Sequence, residues 1–171
     1  MPQLPPVTKA LLIANIGLFL LQWALGDLGA GVLPSDAALS SLMLWPISNG
    51  FDAFSPGASF MPWQFLTYAF LHGGFNHLFF NMLALFMFGA ALEQTWGQKR
   101  FLTYYLVCVA GAGVCQLLMA WFTQSGAPVV GASGGVFGLL LAYGMLFPNQ
   151  RVMLLFPPIP MKARTFVIVF G

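Results

Sequence analysis

Long apolar runs separated by short polar segments dominate the sequence. Four runs are each close to the roughly 20 residues that an α-helix needs to cross a bilayer; they cover residues 10–25, 75–95, 101–122 and 132–147. A fifth run covers residues 163–171 and reaches the end of the sequence. The pattern predicts an all-α fold: a polytopic membrane bundle with four complete spans and the start of a fifth.

The first run follows Lys9 and is short enough to be mistaken for the apolar core of a signal peptide. Asn15 and Gln22 inside it, and the further spans downstream, favour a retained helix. The last run ends seven residues after Arg164, too few to span a membrane. We therefore expect a single membrane domain over residues 1–171 that is incomplete at its C-terminal end.

The connection between the first two runs, residues 26–74, is long and rich in proline and glycine. Loops of this length are usually functional or disordered, and the apolar and aromatic content argues against disorder. Trp45 and Trp63 belong to this connection, and tryptophan favours the membrane–water interface. We expect a partly helical element that lies in the interface.

The composition also indicates that the protein is surrounded by lipid. The chain is 59% hydrophobic and only 6% charged, with a mean hydropathy of +0.84, whereas about a quarter of the residues in a soluble domain are charged. The lipid bilayer is therefore an expected partner, and the net charge of +2 is too small to indicate a nucleic-acid partner. Cys108 and Cys115 lie about 10 Å apart on one helix, too far for a disulfide.

The basic residues show the orientation of the chain. Alternating spans place all of them on one side of the membrane: Lys9, Lys99, Arg100, Arg151, Lys162 and Arg164. The segments on the other side, 26–74 and 124–128, contain no lysine or arginine. The positive-inside rule predicts that the basic side and the N-terminus are cytoplasmic.

Polar side chains inside a membrane are costly, so each pair of them requires a reason. His77 and Asn81 lie four residues apart at the start of the second run and share one helical face. Such a pair can direct two hydrogen-bond donors at one point, or it can tie two helices together. The pair alone does not decide between these interpretations.

The start of the fourth run carries a second group, Gly131-Ala-Ser-Gly-Gly-Val-Phe-Gly138. Its glycines fit the small-xxx-small pattern of closely packed helices. The string also fits G-x-S-x-G, the nucleophile elbow of soluble hydrolases, although that elbow needs a preceding strand. Ser133 at a helix N-terminus would have an open approach, and free backbone N–H groups there can bind an oxyanion.

Topology connects the two groups. The second and fourth spans run in the same direction, so His77, Asn81 and Ser133 fall in the outer turns of their helices. All three lie about 5 to 10 Å below the outer surface at 1.5 Å rise per residue. Independent packing motifs need not share a depth, so the sequence favours an acyl-transfer site.

These residues resemble the motifs of the rhomboid intramembrane serine proteases. His77-Leu-Phe-Phe-Asn81 resembles their His-x-x-x-Asn motif, and Gly131-Ala-Ser-Gly134 resembles their Gly-x-Ser-Gly motif. The interfacial loop, and Glu93 and Gly97 at the end of the second span, are also similar. The resemblance implies a six-helix bundle in a bacterial inner membrane that cuts transmembrane protein substrates near their outer end.

The resemblance also implies roles for single residues. Ser133 would be the nucleophile, and His77, Asn81 and the backbone N–H groups of Ser133 and Ala132 would stabilise the oxyanion. Phe137 would pack on the catalytic imidazole, and His72 would line a water-accessible cavity. Gly131 and Gly134 would flank the nucleophile.

The chain departs from the family pattern at the catalytic base. The family uses a Ser–His dyad, with that histidine on the sixth helix in an Ala-His-x-x-Gly context, whereas this chain has only His72 and His77. A serine hydroxyl without a base is a poor nucleophile, so we expect these 171 residues alone not to cleave substrates. No metal or cofactor is implied, because the two histidines lack a third ligand. A smaller departure is Gln64 after Trp63, where many relatives have arginine, and it could alter loop docking.

Two other classes of protein fit the sequence less well. A non-catalytic rhomboid-like protein that binds membrane clients would usually have lost the serine motif, which is intact here. A transporter would be expected to carry ionisable residues near the membrane midplane, and Glu93 is expected at the cytoplasmic end instead. The sequence does not predict the physiological substrate or the oligomeric state.

Overall fold

The computed structural model describes residues 3–24, 37–47, 59–153 and 160–170. Parts of the predicted interfacial loop, residues 26–36 and 48–58, lie outside the described residues, as do the end of the first predicted span at Leu25 and the terminal Gly171. The fold described below concerns the remaining residues.

Three helices are long and apolar enough to cross a membrane: α1 at Pro6–Ala24, the helix Phe75–Trp96, and α6 at Gln98–Thr123. The helix Phe75–Trp96 consists of α4 (Phe75–Ala84), a π-helical turn (Leu85–Gly89) and α5 (Ala90–Trp96). The fourth predicted span is the shorter helix α7, Ser133–Leu146, and the fifth begins as α8, Ala163–Phe170. The chain is thus an integral multi-pass membrane protein, and the predicted helical bundle is confirmed.

Short elements lie between these helices. They are α2 at Ala37–Ser40, α3 at Gln64–Thr67 with a 3₁₀ turn at Tyr68–Phe70, and the strands β1 (Arg151–Met153) and β2 (Pro160–Lys162). The two strands pair antiparallel, with Arg151 opposite Lys162. This hairpin was not anticipated, because three-residue strands are too short to show an alternating pattern.

Small residues bring α6 and α7 into close contact. A Cβ atom at Gly135 would lie 2.8 Å from Val109 Cγ2, and one at Gly138 would lie 2.7 Å from Cys108 Cβ. Without a hydrophobic driving force in lipid, helix pairs gain from backbones that approach this closely. The small-xxx-small pattern therefore serves helix packing as well as the start of α7.

Gln64, whose side chain is buried, ties together the described parts of the long loop. Its Oε1 accepts a hydrogen bond from the Trp45 N–H at 3.1 Å, and its Nε2 donates to the carbonyl oxygens of Ser41 and Ser59, each at 3.2 Å. The neutral amide thus joins two loop segments, residues 41–45 and 59–64. Trp45 is 5% exposed and so packs inside the protein, whereas Trp63 is exposed.

A buried carboxylate holds the start of α1. Glu93, in α5, accepts hydrogen bonds from the backbone N–H groups of Val7 and Thr8 at 2.9 and 2.7 Å, and from the Thr8 hydroxyl at 2.7 Å. The first N–H groups of a helix have no partner inside the helix, and a carboxylate there also interacts favourably with the helix dipole. The contact fixes the start of α1 against the end of the second span.

We predict that Glu93→Gln lowers the free energy of unfolding by about 1–3 kcal/mol, because the amide nitrogen cannot accept a hydrogen bond from Thr8 or Val7. Thermal unfolding in detergent measures the change. The control is Gln94→Ala at the exposed neighbouring position, which should stay within about 0.5 kcal/mol of the parent. Equal losses in both variants would show that the carboxylate does not hold α1.

Candidate active site

The turn before α4 is held by a side chain from α1. Gln22 Oε1 accepts a hydrogen bond from the His72 N–H at 3.2 Å, and Gln22 Nε2 donates to the His72 carbonyl at 3.3 Å. The buried amide therefore pairs with the backbone of His72 as a neighbouring strand would. Because α4 begins at Phe75, this pairing fixes the start of the helix that carries His77.

The structure brings the two predicted polar groups together. His77 Nε2 lies 3.1 Å from Ser133 Oγ, within hydrogen-bond distance, and both side chains are half-buried. Gly131 makes the approach possible. Its φ of +128° disfavours a side chain, and a Cβ atom there would lie 2.5 Å from His77 Cε1 and 2.8 Å from His77 Nε2.

Asn81 lies on the same face of α4 as His77 but contacts a different atom. Its Nδ2 donates a hydrogen bond to the His77 backbone carbonyl at 2.8 Å, and the side chain is buried. The amide therefore stabilises the helical turn that carries His77. Its second role, as a donor to an oxyanion, stays a prediction.

Tyr68 connects the start of α7 to two other elements. Its backbone carbonyl accepts the Gly131 N–H at 2.9 Å, and its hydroxyl donates to the Val109 carbonyl in α6 at 2.8 Å. Burial raises the pKa of Tyr68 to about 12, so the hydroxyl remains a neutral donor. The Gly131–Ser133 turn is thereby tied to the segment that leads into α4.

The N-terminus of α7 offers several free donors. The helix begins at Ser133 without a side-chain cap, and its first hydrogen bond runs from the Val136 N–H to the Ala132 carbonyl at 3.0 Å. In the part of the chain that the structure describes, the N–H groups of residues 132–135 have no acceptor. Such groups, beside the Ser133 hydroxyl, can donate to an anionic oxygen.

His72 lies under the site, at 1% exposure. Its ring packs edge-on to that of His77, with centroids 5.2 Å apart, and neither ring nitrogen has a partner among the described residues. Burial, and secondarily the charge of His77, lowers the pKa of His72 to about 4. His72 is therefore neutral near pH 7. Its expected place beside a water-accessible cavity stays a prediction.

The other predicted residues lie close by without joining the contact. Phe137 is one turn after Ser133 and 51% exposed. Gly134 faces Ala112 in α6 and the hydroxyl of Tyr68, so its lack of a side chain serves packing. Ala132 is fully buried beside Ser133.

Comparison with known proteins identifies the family. A family model for the rhomboid domain matches residues 59–171, more than half of the chain and the part that contains both motifs. The chain belongs to the rhomboid family. The family named on the basis of the His77–Asn81 and Gly131–Gly134 motifs is therefore confirmed.

Three relatives show the extent of the similarity. Rhomboid protease GluP of Bacillus subtilis is 42% identical over 93 residues, 54% of this chain and 17% of that protein. Rhomboid protein 1, mitochondrial, of Saccharomyces cerevisiae is 36% identical over 98 residues, 54% of this chain and 27% of that protein. Rhomboid protease GlpG of Klebsiella pneumoniae is 26% identical over 138 residues, 81% of this chain and 42% of that protein. This rhomboid chain thus spans less than half of the length of each relative.

The sequence motifs do not assign Gln22 and Tyr68 to the site of this rhomboid protein. In the sequence, Gln22 is only a polar residue that favours a retained helix. A polar side chain inside an apolar span usually has a specific partner, and that signal was available. Tyr68 gave no such signal, because its carbonyl and hydroxyl contacts depend on the tertiary arrangement.

We predict that Gly131→Ala lowers the free energy of unfolding of this rhomboid chain by about 1–3 kcal/mol, because it imposes backbone strain and drives a methyl group into the His77 ring. Thermal unfolding in detergent measures the loss. The control is Gly111→Ala in α6, where an added Cβ meets nothing within 4 Å; it should be neutral or stabilising by about 0.5–1 kcal/mol. A Gly131→Ala variant as stable as this control would contradict the close approach.

Proposed function

We propose that this chain provides the nucleophile and the oxyanion donors of an intramembrane serine endopeptidase. The observation that carries the proposal is the 3.1 Å separation of His77 Nε2 and Ser133 Oγ at an uncapped helix N-terminus. A helix-packing pair would not need a nucleophilic side chain and free backbone donors at the same point. Relatives that are named as rhomboid proteases support the same reaction.

In the proposed reaction Ser133 Oγ attacks the carbonyl carbon of a substrate peptide bond, and its proton passes to an imidazole base. Negative charge develops on the carbonyl oxygen. The backbone N–H groups of Ser133 and Ala132, together with His77 and Asn81, stabilise that charge by donating hydrogen bonds. The C–N bond then breaks, the base returns the proton to the leaving amine, and water hydrolyses the acyl-enzyme.

We assign the base to a histidine other than the two in these 171 residues. A His77 Nε2 that donates to the oxyanion carries a proton, so it cannot also accept the proton of Ser133. Asn81 holds the turn of α4 that carries His77 by donating to the His77 backbone carbonyl. This arrangement suits a neutral imidazole that donates from Nε2 beside Ser133, where the oxyanion forms.

The proposed substrates are transmembrane segments cut on the side of the membrane away from the basic residues. The contact of Glu93 with Val7 and Thr8 supports this orientation, because it joins the start of α1 to the end of α5. Lys9 and Lys99 are next to these helix ends in the sequence. His77 and Ser133 lie at the opposite helix ends. We propose that the basic side faces the cytoplasm of a bacterium.

We predict that Ser133→Ala in the natural full-length protein lowers cleavage of a reconstituted transmembrane substrate by on the order of 10³-fold or more. The control is Ser125→Ala in the exposed α6–α7 connection, which should cleave at the parental rate. Labelling by a fluorophosphonate probe, located by mass spectrometry, should be lost only in Ser133→Ala. Parental cleavage by Ser133→Ala would show that Ser133 is not the nucleophile, whereas a parent that neither cleaves nor takes the probe at Ser133 would favour a non-catalytic client-binding member of the family.

The role of His77 is tested by two substitutions in the same assay. His77→Gln retains a hydrogen-bond donor but no base, whereas His77→Ala removes both. If His77 serves the oxyanion, His77→Ala should lower the rate about 10²-fold or more, and His77→Gln should lose distinctly less. Equal losses in both variants, as large as that of Ser133→Ala, would instead identify His77 as the base.

A further inference from the structure

The hairpin between α7 and α8 has two different faces. Strand alternation places Val152 on the face toward the bundle, where it is 5% exposed and belongs to the main hydrophobic core. The opposite face carries Arg151 directly across from Lys162, and Met153 across from Pro160. All four of these outward residues are exposed. The face away from the core therefore combines two cations with two apolar residues.

Among the described residues, no acidic side chain is free to balance the cations on this face. Directly opposed residues of an antiparallel pair have Cβ atoms about 4.5–5.5 Å apart, and like charges there are destabilising. Arg164 adds a third exposed cation in the first turn of α8, where the helix dipole disfavours positive charge. Glu93 is the only acidic residue in the described part of the chain, and it is engaged by α1.

The backbone at the base of the hairpin is already satisfied. The Ala163 N–H donates to the Gln150 carbonyl at 2.7 Å, and the Arg164 N–H donates to the Pro148 carbonyl at 3.2 Å. The side chains of the three cations are therefore the groups left to bind an anion. The hairpin cation site is the name used below for Arg151, Lys162 and Arg164.

The length of α7 sets the depth of this site. A helix of 14 residues is about 21 Å long, shorter than the roughly 30 Å of the hydrocarbon core. Strand β1 begins five residues after α7 ends, so it lies near the headgroups of the leaflet on the basic side. Long cationic side chains reach headgroup phosphates from such a depth.

We propose that the hairpin cation site binds the phosphate of an anionic phospholipid in the leaflet on the basic side of the membrane. Arginine offers a planar fork that suits two phosphate oxygens, and lysine offers a compact charge. Met153, 61% exposed on the same face, would lie against the adjoining acyl chain. A soluble phosphate or an acidic protein would leave this apolar contact unused, so the surface fits a lipid.

Native mass spectrometry of the purified chain in neutral detergent tests the proposal, with phosphatidylglycerol and phosphatidylcholine as probes. The wild type should bind phosphatidylglycerol more tightly than phosphatidylcholine. The double variant Arg151→Gln/Lys162→Gln should lower the phosphatidylglycerol affinity about 25-fold, about fivefold for each cation, with phosphatidylcholine unaffected.

The matched control is Lys99→Gln/Arg100→Gln, which removes two exposed cations of the same membrane side that are not opposed across strands. It should change the affinity much less. Equal losses in the two double variants would show a diffuse positive surface and overturn the site. Equal binding of the two lipids, or displacement of phosphatidylglycerol by inorganic phosphate, would also overturn it.

A charge-reversed variant separates lipid binding from simple loss of folding. Lys162→Glu places opposite charges across the strand pair, so in phosphatidylcholine nanodiscs it should unfold at a higher temperature than the wild type. In nanodiscs rich in phosphatidylglycerol the wild type should unfold at a higher temperature than in phosphatidylcholine, and the variant should not. The difference in unfolding temperature between the two proteins should therefore narrow or reverse. The same difference in both lipids would contradict the proposal.

Discussion

The contact between the first turn of α4 and the first turn of α7 is the constraint on which the site depends. Residues 56 positions apart in the sequence meet there, and two features hold them. The Gly131 N–H donates to the Tyr68 carbonyl, and the bare α-carbon of Gly131 leaves room for the His77 ring. Tyr68 also reaches α6 through its hydroxyl. These contacts hold α4, α6 and α7 together beside the Ser133 hydroxyl.

The membrane explains why side chains perform so much of this work. Unsatisfied backbone groups are costly in lipid, and the ends of helices and the turns between them supply many such groups. Gln22 pairs with the backbone of His72, Glu93 with the start of α1, and Gln64 with two loop segments. The N-termini of α4 and α7 are different, because their first N–H groups have no acceptor among the described residues. At α7 these groups lie beside the Ser133 hydroxyl, which contacts His77.

Much of this arrangement could be predicted from the sequence. Apolar runs gave the spans, and the His77–Asn81 and Gly131–Gly134 motifs gave the family and the residues that meet. The tie through Tyr68 and the hairpin after α7 could not be predicted, because they depend on tertiary contacts and carry no periodic signal. The bond from Asn81 to the His77 carbonyl is local, but the spacing of the two residues does not show which atom Asn81 contacts. The glycines of α7 have two interpretations, packing and catalysis, and the structure shows packing against α6 beside Ser133.

The proposed function depends on a direct contact between His77 and Ser133. ¹⁵N NMR of the chain labelled in its histidine rings tests it, since His72 and His77 are the only histidines. The ring-nitrogen signals are assigned with a His72→Gln variant, and Ser133→Ala is then compared with the parent near pH 7. We expect Ser133→Ala to shift the His77 Nε2 signal and to leave the ring-nitrogen signals of His72 nearly unchanged. Signals of His77 that do not respond to the loss of the Ser133 hydroxyl would contradict it.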